Sequence, residues 1–155
     1  MAWSTASKLF DKVKAKVRRI KDVAIVIIDY LGLLSPVKSR ENRTQDVSEI
    51  SRGLKTMAKE LGVPVLACAQ LNRGSQTKGG GQRPTLVDLR DSGSIEQDAD
   101  VVMFLHQHDN KDDEEFDPTV ELIIAKNRHG NTTTIKLNFD GRYTRFTVKE
   151  NRFDD

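Results

Sequence analysis

Cysteine is nearly absent from this chain: its 155 residues hold one, Cys68. That excludes an intramolecular disulfide and fits a reducing compartment. Cys68 lies within an apolar run, so a small buried side chain is expected there. Long hydrophobic runs are missing as well. No stretch approaches the ~18 apolar residues of a membrane span, and the N-terminus carries no signal-peptide core. The expectation is a soluble, cytoplasmic protein with no membrane partner. Net charge is only +2, too small for a whole-molecule field to attract nucleic acid, so any such case rests on local patches. Internal repeats are lacking too. What is present, 37% hydrophobic and 31% charged residues, fits one globular domain with a modest core.

The stretch around which the chain is organised is Val23-Ala-Ile-Val-Ile-Ile-Asp-Tyr-Leu-Gly-Leu-Leu-Ser35. Six apolar, mostly β-branched residues end in an aspartate. This composition predicts a strand buried on both faces, as in a parallel sheet covered by helices. Ligand sites in such sheets lie beyond the carboxyl ends of the strands, so Asp29 faces a crevice. Two readings of Asp29 stand at this point. It is the carboxylate that holds Mg²⁺ against phosphate oxygens, or it only caps a strand.

Before it, residues 5–21 carry Leu9, Phe10, Val13, Val17 and Ile20 at helical spacing with lysines and arginines around the other faces. They predict an amphipathic helix whose basic face is solvated or touches nucleic acid. After a loop over 35–43, a second helix is expected from about Thr44 to Leu61. Its stripe is Val47, Ile50, Leu54, Ala58 and Leu61, with Asp46 and Glu49 at its start and Gly62 and Pro64 to end it. Residues 63–69 form a second strand, closed by Gln70, and strand, helix, strand is a parallel crossover. A Gly-rich basic loop fills 71–84 and a short helical stretch 85–98. The apolar run 100–105 predicts a third strand, parallel and adjacent to the other two. Residues 109–117 hold six carboxylates, an exposed acidic loop. Thr119–Lys126, Thr132–Phe139 and Tyr143–Val148 predict an antiparallel section turning at His129-Gly-Asn and Asp140-Gly.

Six motifs in this order carry a family signature: Val26-Ile-Ile-Asp-Tyr-Leu31; the stretch from Arg40 to Lys55; Ala69-Gln-Leu-Asn-Arg73; the thirteen residues from Asp88 to Asp100; Ile124-Ala-Lys-Asn-Arg128; and Phe139-Asp-Gly-Arg-Tyr-Thr-Arg-Phe146. Together they resemble the RecA-like C-terminal domain of the DnaB-type replicative helicases, over about residues 12–148. The fold implied is an α/β, truncated RecA-like domain of the P-loop NTPase type. Its parallel sheet core is flanked by helices, with antiparallel strands at the C-terminal end. The domain organisation expected is a basic amphipathic helix over 1–22, a RecA-like core over 23–150 and a tail over 151–155.

The resemblance also implies an activity and roles. It implies a homohexameric ATP-driven motor on single-stranded DNA, with ATP and Mg²⁺ as cofactors and neighbouring helicase subunits as partners. Asp29 resembles the Walker B aspartate, holding Mg²⁺ through water, and Gln70 the residue that senses the terminal phosphate. Arg90, Asp91 and Gly93 match the loop that grips DNA, with Arg43 and Arg73 as helpers. Lys126 and Arg128 match the pair given to a neighbour's nucleotide. On spacing alone that pair reads equally as a solvated strand end or a partner of the acidic loop.

Departures accompany the match. The DNA loop reads Arg90-Asp-Ser-Gly93 where glutamate is usual, and Cys68-Ala69 stands where a small residue and serine are typical. No Gly-x-x-x-x-Gly-Lys-Ser/Thr occurs in the chain. The expectation is therefore the distal part of a motor domain that hydrolyses no ATP by itself. The alternative is an ATPase-inactive module that binds single-stranded DNA or docks onto intact helicase subunits.

Overall fold

The computed structural model describes residues 6–34, 43–71, 83–92, 94–107 and 117–149, with the side chains of Ser7, Arg43, Thr44, Arg90, Asp91 and Ser92 outside that description. The described residues fall into two compact units, one drawn from 1–72 and 89–99, the other from 73–88 and 100–155.

In the first unit, α1 (Ala6–Val17) packs on α2 (Arg43–Leu61). The buried face of α2 is Ile50, Ser51, Leu54 and Met57, three to four residues apart as one stripe of a 3.6-residue helix requires. Met57 is the most deeply buried of them, 1% exposed, where the expected stripe has Ala58 instead. Fully burying such a side chain stabilises by roughly 1.5–3 kcal/mol. Ala6 and Phe10 of α1 complete the core, with Val13, Val26, Ile28, Leu31, Val65 and Ala67 packed against it. At the helix surface Lys14 bonds Glu60 at 3.0 Å and Asp11 at 3.2 Å. The Glu60 carboxylate, and secondarily Asp11, hold the Lys14 ammonium above its ordinary value. Gly62, with φ +64°, ends α2 in the left-handed conformation that glycine adopts without a Cβ penalty. Helix α1 stops at Val17, short of the expected 21, and leaves Ile20 half exposed.

Strands β1 (Val26–Ile28) and β2 (Val65–Ala67) pair in parallel, with Val26 opposite Val65 and Ile28 opposite Ala67. The crossover is thus present, but the strands are shorter than 23–29 and 63–69 suggest, and they are not buried on both faces. Val26 and Ile28 turn to the helices, whereas Ile27 is 61% exposed on the other face. Cys68 continues the outward face of Leu66 and is exposed, which corrects the expectation of a buried thiol. Short α3 (Ile95–Asp98) packs on α2.

The second unit is a four-stranded antiparallel sheet in the order β3 (Val101–Gln107), β4 (Thr119–Asn127), β5 (Thr133–Asp140), β6 (Arg145–Val148). The expectation that 100–105 joins the parallel sheet is corrected here: β3 is hydrogen-bonded to β4 and runs against it. An apolar run reports burial but not the identity of the neighbouring strand. Even its burial is one-sided, since Val102 and Phe104 are buried while Val101, Met103 and Leu105 are exposed. The expected turns are in place. Arg83 braces the sheet face by bonding the Glu121 carboxylate of β4 at 3.1 Å and the Thr134 hydroxyl of β5. Phe139 and Phe146 face each other across β5 and β6 with ring centroids 4.7 Å apart. Most of the acidic loop, residues 108–116, and the tail lie outside the described residues. Among the described residues no helix is long and apolar enough to cross a membrane.

Candidate functional site

Two strand ends hold the sequence-predicted residues. In the first unit, β1 and β2 run in the same direction and stop together. The Cys68 amide donates to Ile28 O at 2.9 Å, and the Leu31 amide donates to Cys68 O at 2.9 Å. These bonds carry the pairing one step past the strands and fix the backbone on both sides of Asp29. Asp29 therefore leaves the carboxyl end of β1, and Gln70 follows the carboxyl end of β2. Both are exposed. A carboxylate and an amide beyond adjacent parallel strands have the chemistry to meet a hydrated cation and a phosphate. Among the described residues no group of three or more His, Cys, Asp or Glu side chains gathers to cage a metal. A single carboxylate is still the donor set that suits Mg²⁺, which keeps its waters and takes its remaining ligands from phosphate.

The second strand end belongs to the other unit. The β3–β4 register steps from Val102 opposite Lys126 to Met103 opposite Ile124, leaving Ala125 as an extra residue on β4. Such a bulge bends a strand and re-aims the side chains that follow it. Those side chains are Lys126, Asn127 and Arg128. Asn127 turns back into the hairpin, where Nδ2 donates to Asn131 O and Oδ1 accepts the His129 amide, each at 3.3 Å. Arg128 goes the other way. Its amide donates to Asp100 O at 2.8 Å, and Nη1 meets Asp100 Oδ1 at 3.1 Å. Among the described residues the carboxylate beside Arg128 is that of Asp100, just ahead of β3, while residues 108–116 of the acidic loop lie outside them. With side chains 46% and 47% exposed, such a pair contributes no more than about 1 kcal/mol. Neither Ala125 nor Asp100 was singled out by sequence reasoning. The bulge has no residue signature, and Asp100 meets Arg128 only through sheet register.

The DNA-loop residues are less fully placed. Arg90 and Asp91 lie in the 3₁₀ helix Leu86–Ser92 and Arg43 opens α2, but their side chains, with all of Arg73 and Gly93, lie outside the described residues. Asp88, in the same 3₁₀ helix, bonds back to Thr85. Its Oδ2 accepts the Thr85 amide at 2.7 Å and the Thr85 hydroxyl at 3.0 Å.

Comparison with known proteins supplies the family. The one described as the DnaB-like helicase C terminal domain matches residues 3–148, starting closer to the N-terminus than the motifs alone suggest. The chain is 47% identical over 149 residues to the replicative DNA helicase DnaC of Bacillus subtilis (strain 168), covering 93% of this chain and 33% of that protein. It is 46% identical over 157 residues to the replicative DNA helicase DnaB of Geobacillus stearothermophilus, covering 97% and 34%. Among solved structures, one described as an ATPase domain superposes with a TM-score of 0.84 at 42% identity, covering 95% of this chain and 52% of that one. A DnaB-like replicative helicase studied for its interactions with primase gives the same TM-score and identity, covering 95% and 36%. The chain spans about a third of the length of these curated relatives. With the match running over nearly its whole length, the fold is that of the RecA-like ATPase domains and the chain belongs to the DnaB-like helicase C-terminal domain family.

Proposed function

We propose that this chain is part of the motor domain of a replicative DNA helicase, which couples ATP hydrolysis to movement along single-stranded DNA and to duplex unwinding. The observation that carries the reading is the position of Asp29 and Gln70 beyond the ends of two adjacent parallel strands, in a chain of this family. In that role Asp29 holds Mg²⁺ through water and Gln70 hydrogen-bonds the terminal phosphate or the attacking water. Bound Mg²⁺ neutralises charge on the phosphate oxygens. Lys126 and Arg128 serve the nucleotide of the next subunit in a homohexamer, and Arg90, Asp91 and Gly93, helped by Arg43 and Arg73, hold the DNA backbone. By itself the chain hydrolyses no ATP, because Asp29 and Gln70 cannot replace the backbone cradle and lysine of a P-loop.

The test is a chimera in which this chain replaces the matching segment of the Geobacillus stearothermophilus relative. The chimera should unwind duplex with ATP, and Asp29→Ala or Arg128→Ala should each abolish turnover, an arginine finger being worth roughly 10³–10⁵ in rate. Mixed rings of the two variants should regain activity, because some interfaces pair an intact nucleotide site with an intact finger. No recovery in rings proven to be mixed would sink the proposed trans arrangement.

A further inference from the structure

We infer that Asp100 is a positioning residue for Arg128: it holds the guanidinium at the end of β4, aimed outward, until a neighbouring phosphate takes it. The inference rests on the finger role proposed above for Arg128 and goes beyond it by naming the group that prepares the finger.

Three observations converge on it. Val101 pairs with Asn127 in the antiparallel ladder, so the next cross-strand position sets Asp100 against Arg128. The Arg128 amide bonds Asp100 O at 2.8 Å while its guanidinium meets Asp100 Oδ1 at 3.1 Å, so one residue contacts both the backbone of Arg128 and the tip of its side chain. The Ala125 bulge lies just upstream, and a distortion that re-aims a strand end needs an anchor to define where it points. A free arginine samples many rotamers and gives up that freedom on meeting its target. A carboxylate that holds the guanidinium beforehand removes part of this cost before the phosphate arrives.

The strength of the contact is matched to the task. Asp100 and Arg128 side chains are 47% and 46% exposed, so water competes with the pair and weakens it. A buried partner would hold the guanidinium back. A half-exposed one orients it yet yields to a phosphoryl group carrying more charge. In that arrangement Asp100 acts on the neighbour's reaction through Arg128.

The experiment uses the same chimeric rings. Asp100→Asn keeps shape and removes charge; Asp100→Ala removes the contact while leaving the backbone bond in place. Both should lower kcat, the alanine variant on the order of 10²-fold as expected for a misplaced catalytic group, with KM for ATP unchanged, and Asp100→Glu should recover part of the loss. Mixing Asp100→Ala with Asp29→Ala subunits should restore turnover, whereas mixing it with Arg128→Ala should not, because those two defects lie on the same side of an interface. In the isolated chain, ¹⁵N relaxation at Arg128 Nε should change from ordered to mobile in Asp100→Ala. An unchanged or raised kcat in Asp100→Ala, with Arg128→Ala inactive, overturns the positioning role and leaves the finger intact. An active Arg128→Ala overturns the finger reading itself.

Discussion

Gly53 of α2 lies against the Phe10 ring of α1 so closely that a β-carbon there would stand 2.5 Å from Cε2 and 3.1 Å from Cδ2. Glycine inside a helix costs about 1 kcal/mol relative to alanine, and the close approach of the two helices is what that cost permits. Gly53→Ala should therefore destabilise the chain by up to about 2 kcal/mol net, since overpacking a core typically costs 1–3 kcal/mol and the helix gain of about 1 kcal/mol offsets part of that. The control is the same change in a Phe10→Leu background. There the clash is relieved and the helix gain remains, so Gly53→Ala should become neutral or stabilising in urea denaturation. An equal penalty in both backgrounds would mean that Phe10 is not the reason for the glycine.

A second glycine answers to its neighbour in the same way. A β-carbon on Gly130 would sit 2.7 Å from Asn127 Nδ2, the nitrogen that bonds Asn131 O. Room for that amide is therefore the requirement at Gly130. Gly62 is the one glycine with positive φ among the described residues. Gly130→Ala should displace Asn127 and cost about 1 kcal/mol, the net worth of a typical hydrogen bond. Asn127→Ala should cost a similar amount, and the double variant should cost no more than either. Additive losses in thermal unfolding would separate the two residues.

The hairpin between β5 and β6 carries a pH signature. Asp140 accepts from the Arg142 amide at 3.1 Å and from Arg142 Nε and Nη2 at 3.2 Å each, and the same guanidinium lies 5.7 Å from the Tyr143 ring centroid. The Arg142 side chain in first place, with its amide and Arg145 as smaller causes, holds the Asp140 carboxyl below its ordinary 3.8. The folded-state value is thus depressed. Its stabilising contribution is full above pH 3.8 and is lost as pH falls through the lower folded-state value. Arg142→Ala should raise the Asp140 midpoint towards 3.8 in a carboxyl NMR titration. The stability gap between wild type and variant should be constant near neutrality and close in acid. A gap that widens in acid would contradict the sign.

Sequence periodicity made α2 legible because one helical stripe has to face one core; Ile50 and Leu54 are buried as expected, and Met57 rather than Ala58 carries the stripe on. The parallel pair β1–β2 was legible from two apolar runs joined by that helix. Strand β3 was legible as a strand but its neighbour was not, because Val101–Leu105 is apolar on both faces and composition is silent about which strand lies alongside. The positions of Asp29 and Gln70 after β1 and β2 were legible because strand ends are local features. Asp100 could not be assigned to Arg128, since only the β3–β4 register brings residues that far apart together. The exposed Cys68 was misjudged for the same reason as Ile27: an apolar run does not say that only one face of the sheet is covered.

The last prediction concerns single-stranded DNA. In the proposed DNA role of the motif containing Arg90, Asp91 and Gly93, the arginine would meet phosphate oxygens and the glycine would let backbone N–H groups approach them closely. Arg43 and Arg73 are two further cations that the sequence supplies. Contacts of this kind are to the backbone and carry no base information, so binding should be weak and indifferent to sequence. Few contacts also mean a shallow salt dependence, about −0.7 in log K per phosphate neutralised on a single strand. Fluorescence anisotropy with labelled oligonucleotides of contrasting sequence, over a series of salt concentrations, measures both properties. Arg90→Ala should weaken binding uniformly across those sequences and reduce the slope by about 0.7, the share of one phosphate. Arg43→Ala and Arg73→Ala should each have a smaller effect. A slope and affinity unchanged in Arg90→Ala, or a strong preference for one oligonucleotide, would remove Arg90 from the DNA site and leave it a surface cation.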